Sequence, residues 1–426
     1  MNVNKLTIAI IISLILYPAG LVYSDSVLTW TDCVKIAEQN NPELIAAKET
    51  VNKTEANIGI ARSPMLPQVS LNSSASKSRA ESELGTAEQN NFSYNIQGRQ
   101  MLFDGMKTFS DVDKTKEELA AVRYRYLTTA SNIRLALRGA YISIIRAQEN
   151  ITLSKKIIER RKVNYDLVNL RYEAGREHKG SLLTAEADYA QALFDLKSGE
   201  RDLEISWERM YKTLGVDKIP ASSVESDFSI SEKTETAPDF TAIAEKNPLL
   251  TEMAHLYEAA KDKTKSSKLD FFPKVYGFLN FGQSNSEWPP DKTAWSAGVQ
   301  ASLPLVEGGR GIYETKRAMS EEKYYRAEVK NIRDTVFFIL REKWIAFQSA
   351  VDNVSVNEKY LRAAEERSKI VEVQYGMGRL TFDDWIIIEN TLVLAMNNYL
   401  SARINALGAE AEWIQAKGET LDYDKK

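Results

Sequence analysis

Two periodicities alternate along this chain. Between Thr29 and Arg62, Leu44, Ala47, Val51, Thr54, Ile58 and Ala61 recur in steps of three and four. That spacing lines one face of a helix, with Thr29 or Thr31 as its cap and Pro64 and Pro67 ending it. The period then falls to two. Val69, Leu71, Ser73 and Ala75 alternate with polar neighbours, and Phe92, Tyr94 and Ile96 alternate with Ser93, Asn95, Gln97 and Arg99. Such alternation predicts a hairpin of roughly ten-residue strands, each with one apolar and one polar face. The polar residues 80–91 read as the loop between them. A pattern free of proline follows from Met106 to Tyr172. As a helix it would be about 100 Å long, which calls for packing as an extended coiled coil.

The whole sequence of patterns then recurs. Arg171-Tyr172-Glu173-Ala174-Gly175-Arg176 returns as Gln374-Tyr375-Gly376-Met377-Gly378-Arg379, a shift of 203 positions. Each copy closes a long helical pattern and precedes another, so each reads as the tip of a helical hairpin, with Gly in the left-handed C-terminal conformation. The same shift places Ser93 on Ser296, Gln97 on Gln300, Gly105 on Gly308, Tyr141 on Trp344 and Gly215 on Gly418. Upstream, Asn41-Pro42 matches Asn247-Pro248, and Pro67-x-Val69 matches Pro273-x-Val275, at 206. The chain therefore divides into residues 25–216, a linker at 217–238, a second unit at 239–418 and a tail at 419–426. In the second hairpin, Trp295, Ala297, Val299, Ala301 and Leu303 alternate with Ser296, Gly298, Gln300 and Ser302, and residues 283–293 read as loop. The second long helix is expected from Gly309 to Tyr375.

After each tip a shorter helix carries a seam rich in small residues. Ile388, Leu392, Ala395, Tyr399, Ala402, Ala406, Ala409 and Trp413 correspond to Ala185, Tyr189, Ala192, Leu196, Gly199, Leu203, Ser206 and Met210. A helix over residues 179–214 would be about 54 Å long, and one over residues 30–62 about 50 Å. Placed end to end, the two match one long helix. Strands would then sit at one end of a long helical tube and tips at the other. Strands of this kind fit a membrane barrel, apolar side to lipid, or a hairpin half buried on helices in a soluble protein. In lipid, four strands are too few to close a barrel and open edges would be unpaired, so copies of the chain would have to share one.

Composition narrows the class. The net charge of −4 gives no basic footprint for nucleic acid. Residues 1–24 carry Lys5, an apolar run from Leu6 to Leu16 and the small-residue end Val22-Tyr23-Ser24, the pattern of an export signal peptide. No later stretch approaches the roughly 18 apolar residues of a transmembrane helix. Cys33 is the sole cysteine and lacks a lipobox, so it reads as a small apolar helix residue.

With these elements in order, the chain resembles the TolC-like outer-membrane efflux proteins. The duplicated unit carries the likeness, together with Asn-Pro in the opening helices and Pro67-Gln68-Val69 and Pro273-Lys274-Val275 entering the strands. Leu102-Phe103-Asp104-Gly105 and Leu305-Val306-Glu307-Gly308-Gly309 leave the strands, and Tyr-x-x-Gly marks the tips. The resemblance spans about residues 28–418. It implies a mainly α protein with a membrane β-barrel part. In it a homotrimer shares a twelve-stranded barrel in the Gram-negative outer membrane and a helical barrel crosses the periplasm. It also implies docking to a periplasmic adaptor and an inner-membrane transporter, in tripartite efflux or type I secretion.

The resemblance further implies that the tips, 172–181 and 375–384, meet the adaptor, which makes Gly175, Arg176, Gly378 and Arg379 candidate docking residues. It places a periplasmic gate at Asp384, six positions after Gly378, with Tyr375 holding the entrance shut. Where such proteins often carry a second acid one turn on, this chain has Ile387, and the first unit has Ser181 in place of Asp384. No catalytic, cofactor or metal site is expected. His178 and His255 lie far apart without a Cys partner, and no Lys-Ser/Thr follows Gly308-Gly309-Arg310-Gly311 to make a phosphate cradle. A soluble periplasmic coiled-coil adaptor or scaffold is the alternative.

Overall fold

The computed structural model describes residues 27–82, 85–230 and 236–425. The expected signal peptide, residues 1–24, and part of the expected linker lie outside them. In chain order, strand β1 is Val27–Leu28, helix α1 is Trp30–Asn40 and helix α2 is Pro42–Arg62. Strands β2, Gln68–Ser82, and β3, Gly85–Phe103, precede helices α3, Lys107–Glu173, and α4, Lys179–Leu214. After β4, Ser223–Val224, the series repeats. It runs α5 Phe240–Lys246, α6 Pro248–Leu269, β5 Lys274–Asn285, β6 Lys292–Ser302, α7 Arg310–Gly376 and α8 Phe382–Ala416. Within the expected linker, β4 pairs in parallel with β1.

The two long helices each have 67 residues, as the patterns predicted to within a residue. Each lies along its post-tip partner, α4 on α3 and α8 on α7, while α2 packs on α3 and α6 on both α3 and α7. All seam positions of α4 and α8 are buried or half-buried. No helix among the described residues is long and apolar enough to cross a membrane.

The opening helix departs from expectation by being two helices. Asn41 adopts an extended conformation, φ −65° and ψ 118°, and caps α2, which starts on Pro42. Pro cannot donate to the preceding turn, so the helix restarts there. The break has a purpose visible twice. Asn41 Oδ1 accepts from Leu44 N at 2.9 Å, and its Nδ2 donates to Thr213 O at 2.7 Å at the end of α4. In the second unit Asn247 Oδ1 accepts from Leu249 N at 3.0 Å, and Nδ2 donates to Ala416 O at 3.0 Å at the end of α8. Each Asn thus ties its unit's first helix to the carbonyl end of its last. Gly215 and Gly418 complete these joints in the left-handed conformation, φ 76° and 82°. A Cβ on Gly215 would stand 2.2 Å from Asn40 O, and one on Gly418 2.4 Å from Pro248 Cδ.

The four long strands form one antiparallel sheet in the order β2-β3-β5-β6. Its register aligns the alternation seen in sequence across all four strands. Leu71, Ile96, Phe281 and Trp295 form one row, and the next row toward the helices on the same side holds Val69, Gly98, Leu279 and Ala297. The opposite side holds the row Ser70, Gln97, Asn280 and Ser296, in which Asn280 Nδ2 donates to Ser296 Oγ at 3.2 Å. The apolar side is uncovered: Leu71 is 70% exposed and Trp295 73%.

The first hairpin also departs from expectation. Residues 80–91, expected as loop, mostly continue the strands. Pairing of β3 with β5 ends at Phe92 and Asn285, whereas β2 and β3 stay paired to Ser82 and Gly85. The alternation of apolar residues stops at Ala75 and Phe92, but backbone pairing does not need it. Cross-strand charges take over, with Lys77 Nζ 2.7 Å from Glu88 Oε2.

The joints make a differential prediction. Gly215→Ala and Gly418→Ala should each destabilise by about 1–3 kcal/mol through overpacking in a left-handed backbone. Gly59→Ala, on an open face of α2 with nothing within 4 Å, should be neutral or stabilising by up to about 1 kcal/mol. Thermal melts of the detergent-solubilised protein by circular dichroism check the ranking.

Candidate functional site at the helical tips

Both tips close as the sequence predicts. Gly175 and Gly378 have φ 69° and 73°. Arg176 N donates to Arg171 O at 2.8 Å, and Arg379 N to Gln374 O at 2.9 Å, satisfying carbonyls that the ending helices leave open. Arg176 and Arg379 are exposed, as are both glycines. The candidate docking residues therefore stand at the surface of two adjacent turns.

The two tips are not equivalent. Tyr172 is 38% exposed, whereas its counterpart Tyr375 is fully buried. Tyr375 stacks on Trp385, ring centroids 4.3 Å apart and planes within 11°, with Phe382 edge-on at 6.4 Å. Its hydroxyl crosses to the first unit and donates to Glu177 Oε2 at 3.0 Å. Arg171, also of the first unit, places its guanidinium 4.5 Å from the Tyr375 ring centroid and donates from Nη1 to Tyr375 O at 2.7 Å. Val168, Ala185, Val371 and Ile388 close an apolar cluster around the ring.

Glu177 is the acceptor at the centre. It also takes Ser181 Oγ at 2.9 Å and His178 N at 3.2 Å. Partial burial raises its pKa, but the hydrogen bonds from Ser181 and Tyr375 outweigh this, and the carboxyl is held below its ordinary range. Burial first, then the bond to Glu177, pushes the Tyr375 hydroxyl well above the usual phenol range. His178 caps α4, its ring accepting from Ser181 N.

Asp384 lies outside this cluster. It is exposed, and its Oδ2 accepts from Thr381 Oγ1 at 2.6 Å while its own N–H donates back to Thr381 Oγ1 at 3.2 Å. Thr381 thus caps the start of α8 with its hydroxyl, and the acid also suits the positive end of the helix. Ile387, one turn on, is 63% exposed. Tyr375 and Asp384 are thus not in one constellation within a single chain: one is locked inward, the other faces out.

About one turn above Trp385 lies a buried charge network that sequence reasoning missed. Glu389 is 1% exposed. Arg160 of α3 donates to it from Nε at 2.6 Å and from Nη2 at 2.8 Å, a bidentate pair. Ser368 Oγ of α7 donates at 2.5 Å and Asn164 Nδ2 at 3.3 Å. Burial raises the Glu389 pKa, but the Arg160 and Ser368 bonds more than reverse this and lower it. The network joins the two units, as the Glu177–Tyr375 bond does. Its one sequence signal was an acid, Glu389, directly beside the seam residue Ile388. Among the described residues no group of three or more His, Cys, Asp or Glu could hold a metal ion.

These contacts make a graded prediction. Tyr375→Phe removes one bond to a charged acceptor, worth about 1.5–3 kcal/mol, and keeps the stack. Glu389→Ala takes the bidentate partner from Arg160, which is half-buried and keeps only Ser368 and Glu372 Oε2 at 3.7 Å, and should cost about 3 kcal/mol, the low end for a broken buried pair. The pH dependence follows in sign. A carboxyl whose folded pKa is depressed stabilises the fold above the unfolded value, about 4.3, and loses that as pH falls through the folded value. The hydroxyl of Tyr375, raised, stabilises below about 10. Cohesion of the two tips should therefore be flat from about pH 5 to 9 and weaken only in stronger acid or strong alkali. Hydrogen exchange across 165–177 and 371–389 against pH measures it. Loss of protection on going from pH 8 to 6 would contradict the assignment.

The family model for "Outer membrane efflux protein" matches residues 33–216. The outer membrane efflux protein BepC of Brucella suis is 22% identical over 92% of this chain and 85% of its own. The outer membrane protein TolC of Vibrio cholerae is 21% identical over 91% and 90%. The solved outer membrane channel CmeC of Campylobacter jejuni superposes with a TM-score of 0.80 at 15% identity, covering 100% of this chain and 96% of that one. The family model covers the first unit, the relatives align through both, and the fold matches that of a solved outer membrane channel: the first unit is an outer membrane efflux protein unit, and the chain as a whole is similar to the TolC-like outer membrane efflux proteins.

Proposed function

We propose that this protein is the outer-membrane duct of a tripartite efflux or type I secretion system. The observation that carries it is the sheet. One side is apolar in register across four strands and uncovered, the other is polar, and both edge strands are unpaired within the chain. In lipid each unpaired backbone group costs several kcal/mol, so the edges must be closed. Three chains supply twelve strands, and β6 of one would run antiparallel to β2 of the next. The long helices then continue the barrel as a periplasmic tube. A soluble adaptor or scaffold would not leave Leu71 and Trp295 open to water in a continuous apolar band.

In the trimer, passage is controlled at the tips. Tyr375, held by Glu177 and Arg171, joins the two tips of one chain, and the exposed Tyr172 side is left for the neighbouring chain. Asp384, exposed at the start of α8, is the candidate for an acidic ring near the axis, a single ring because Ile387 follows. Such a ring attracts cations and repels anions. Arg176 and Arg379 are the candidate contacts for a periplasmic adaptor coupled to an inner-membrane transporter. As for domains, residues 25–216 and 239–418 each supply one helix–hairpin–helix unit, joined by residues 217–238.

Native mass spectrometry of detergent-extracted protein should give a trimer, and a monomer would contradict the duct. In planar bilayers Asp384→Ala should weaken cation selectivity and relieve block by divalent cations added on the periplasmic side, and Tyr375→Phe should raise conductance. An unchanged Asp384→Ala channel would assign the entrance to other residues. Charge reversal at Arg176 and Arg379 should lower export without lowering trimer yield. Unchanged export would leave them as solvated helix ends.

A further inference from the structure

The polar side of the sheet faces the lumen once the apolar side faces lipid, and its charges are one-sided. Across the paired rows from Met101, Tyr276 and Gln300 outward to Ser74, Ser93, Ser284 and Lys292, the polar side holds no Asp or Glu. It does hold two cations, Arg99 near the periplasmic end and Lys292 at the outer end. A third, Lys274 at the base, is neutralised by Asp270 Oδ1 at 2.9 Å. Arg99 pairs across the strands with Gln68 and Phe278. Its guanidinium carbon sits 3.8 Å from the centroid of the Tyr276 ring. This contact holds the cation on the wall by a cation–π attraction, while the guanidinium still has N–H donors for a planar acceptor.

We propose that Arg99, seated on Tyr276, forms a threefold anion-binding collar inside the barrel, with Lys292 as a second, outer ring. The ligand class is a polyanion bearing carboxylates or phosphates. Three chains bring three guanidiniums to one level of the lumen, with no acid among the described residues of those rows to offset them. Each guanidinium acts over a Debye length of about 10 Å at 0.1 M salt, so an anion passing along the wall feels the collar. Arg donors match carboxylate and phosphate bidentately, whereas Lys acts as a point charge. Arg99 is therefore the specific element and Lys292 an attractor. The Asp384 ring and the basic collar would give the duct opposite polarity at its two ends. This inference rests on the duct itself being correct.

The test is single-channel recording with inositol hexakisphosphate as the probe, added on the extracellular side. The parent channel should be blocked reversibly, and the block should weaken in 1 M salt. Arg99→Gln should raise the half-blocking concentration about tenfold or more. Arg99→Lys should raise it by less, and Lys292→Gln by about two- to threefold through a slower on-rate. A parent channel that conducts but is not blocked, or an Arg99→Gln channel blocked as strongly as the parent, overturns the collar while leaving the duct intact. Should Arg99→Gln fail to assemble, an unaltered block in Lys292→Gln and Arg99→Lys together overturns it equally. A protein that makes no conducting pore contradicts the duct and the collar together.

Discussion

Backbone hydrogen bonding at the two open edges of the β2-β3-β5-β6 sheet is the constraint on which the rest depends. Water would satisfy those groups, but the sheet's uncovered apolar side selects lipid. Burying an unpaired amide in an apolar medium costs roughly 4–8 kcal/mol on a hydrocarbon scale. No amount of helix packing in one chain offsets several such groups. Pairing with another copy removes the cost entirely, and the even number of strands lets each copy present antiparallel edges of matching direction. The length of the helical part then has a use, because the tube must carry the lumen from the barrel to a partner on the far side of the periplasm.

Duplication explains how one chain builds a regular wall. Each unit closes on itself by the same joint, an Asn before Pro hydrogen-bonded to the last turn of the post-tip helix and capped by a left-handed Gly. Besides the longer first hairpin, the symmetry breaks at the tips and just above them, where the two units meet. Tyr375 is buried where Tyr172 is exposed, and Arg160 reaches from the first unit to Glu389 in the second. Polar contacts of this kind are directional and have alternative partners in water, unlike the apolar seams above them. A tip held by a few hydrogen bonds can separate at a cost of a few kcal/mol, while the seams stay packed.

Much of this was legible in the sequence because periodicity and repetition are local signals. The long helices, the post-tip helices and their seams, and the two-faced strands all follow from spacing alone, and the shift of 203 supplied an internal check. The break at Asn41 was not read as a break, although Asn-Pro was noticed. An Asn-Pro pair permits a helix restart, but only the carbonyl of Thr213, far along the chain, gives it a reason. The outer ribbon of β2 and β3 was missed because its pairing is carried by backbone and by Lys77 and Glu88, without apolar alternation. At the tips, Tyr375 and the two glycines stood out by motif. Glu177, Arg171 and Glu389 did not, since their meaning lies in contacts between units that no single-segment pattern encodes.

Edge closure can be observed directly. Cysteines introduced at Leu71 on β2 and Val299 on β6 would lie on the apolar side of the two edge strands. The native Cys33, fully buried, would not compete. A short bis-maleimide applied to membranes should join β6 of one chain to β2 of the next. With both cysteines present, denaturing gels should show a ladder that ends at three chains, and either cysteine alone should give at most dimers. A ladder continuing past three, or no crosslink between chains in membranes that contain the protein, would contradict a closed barrel of three copies.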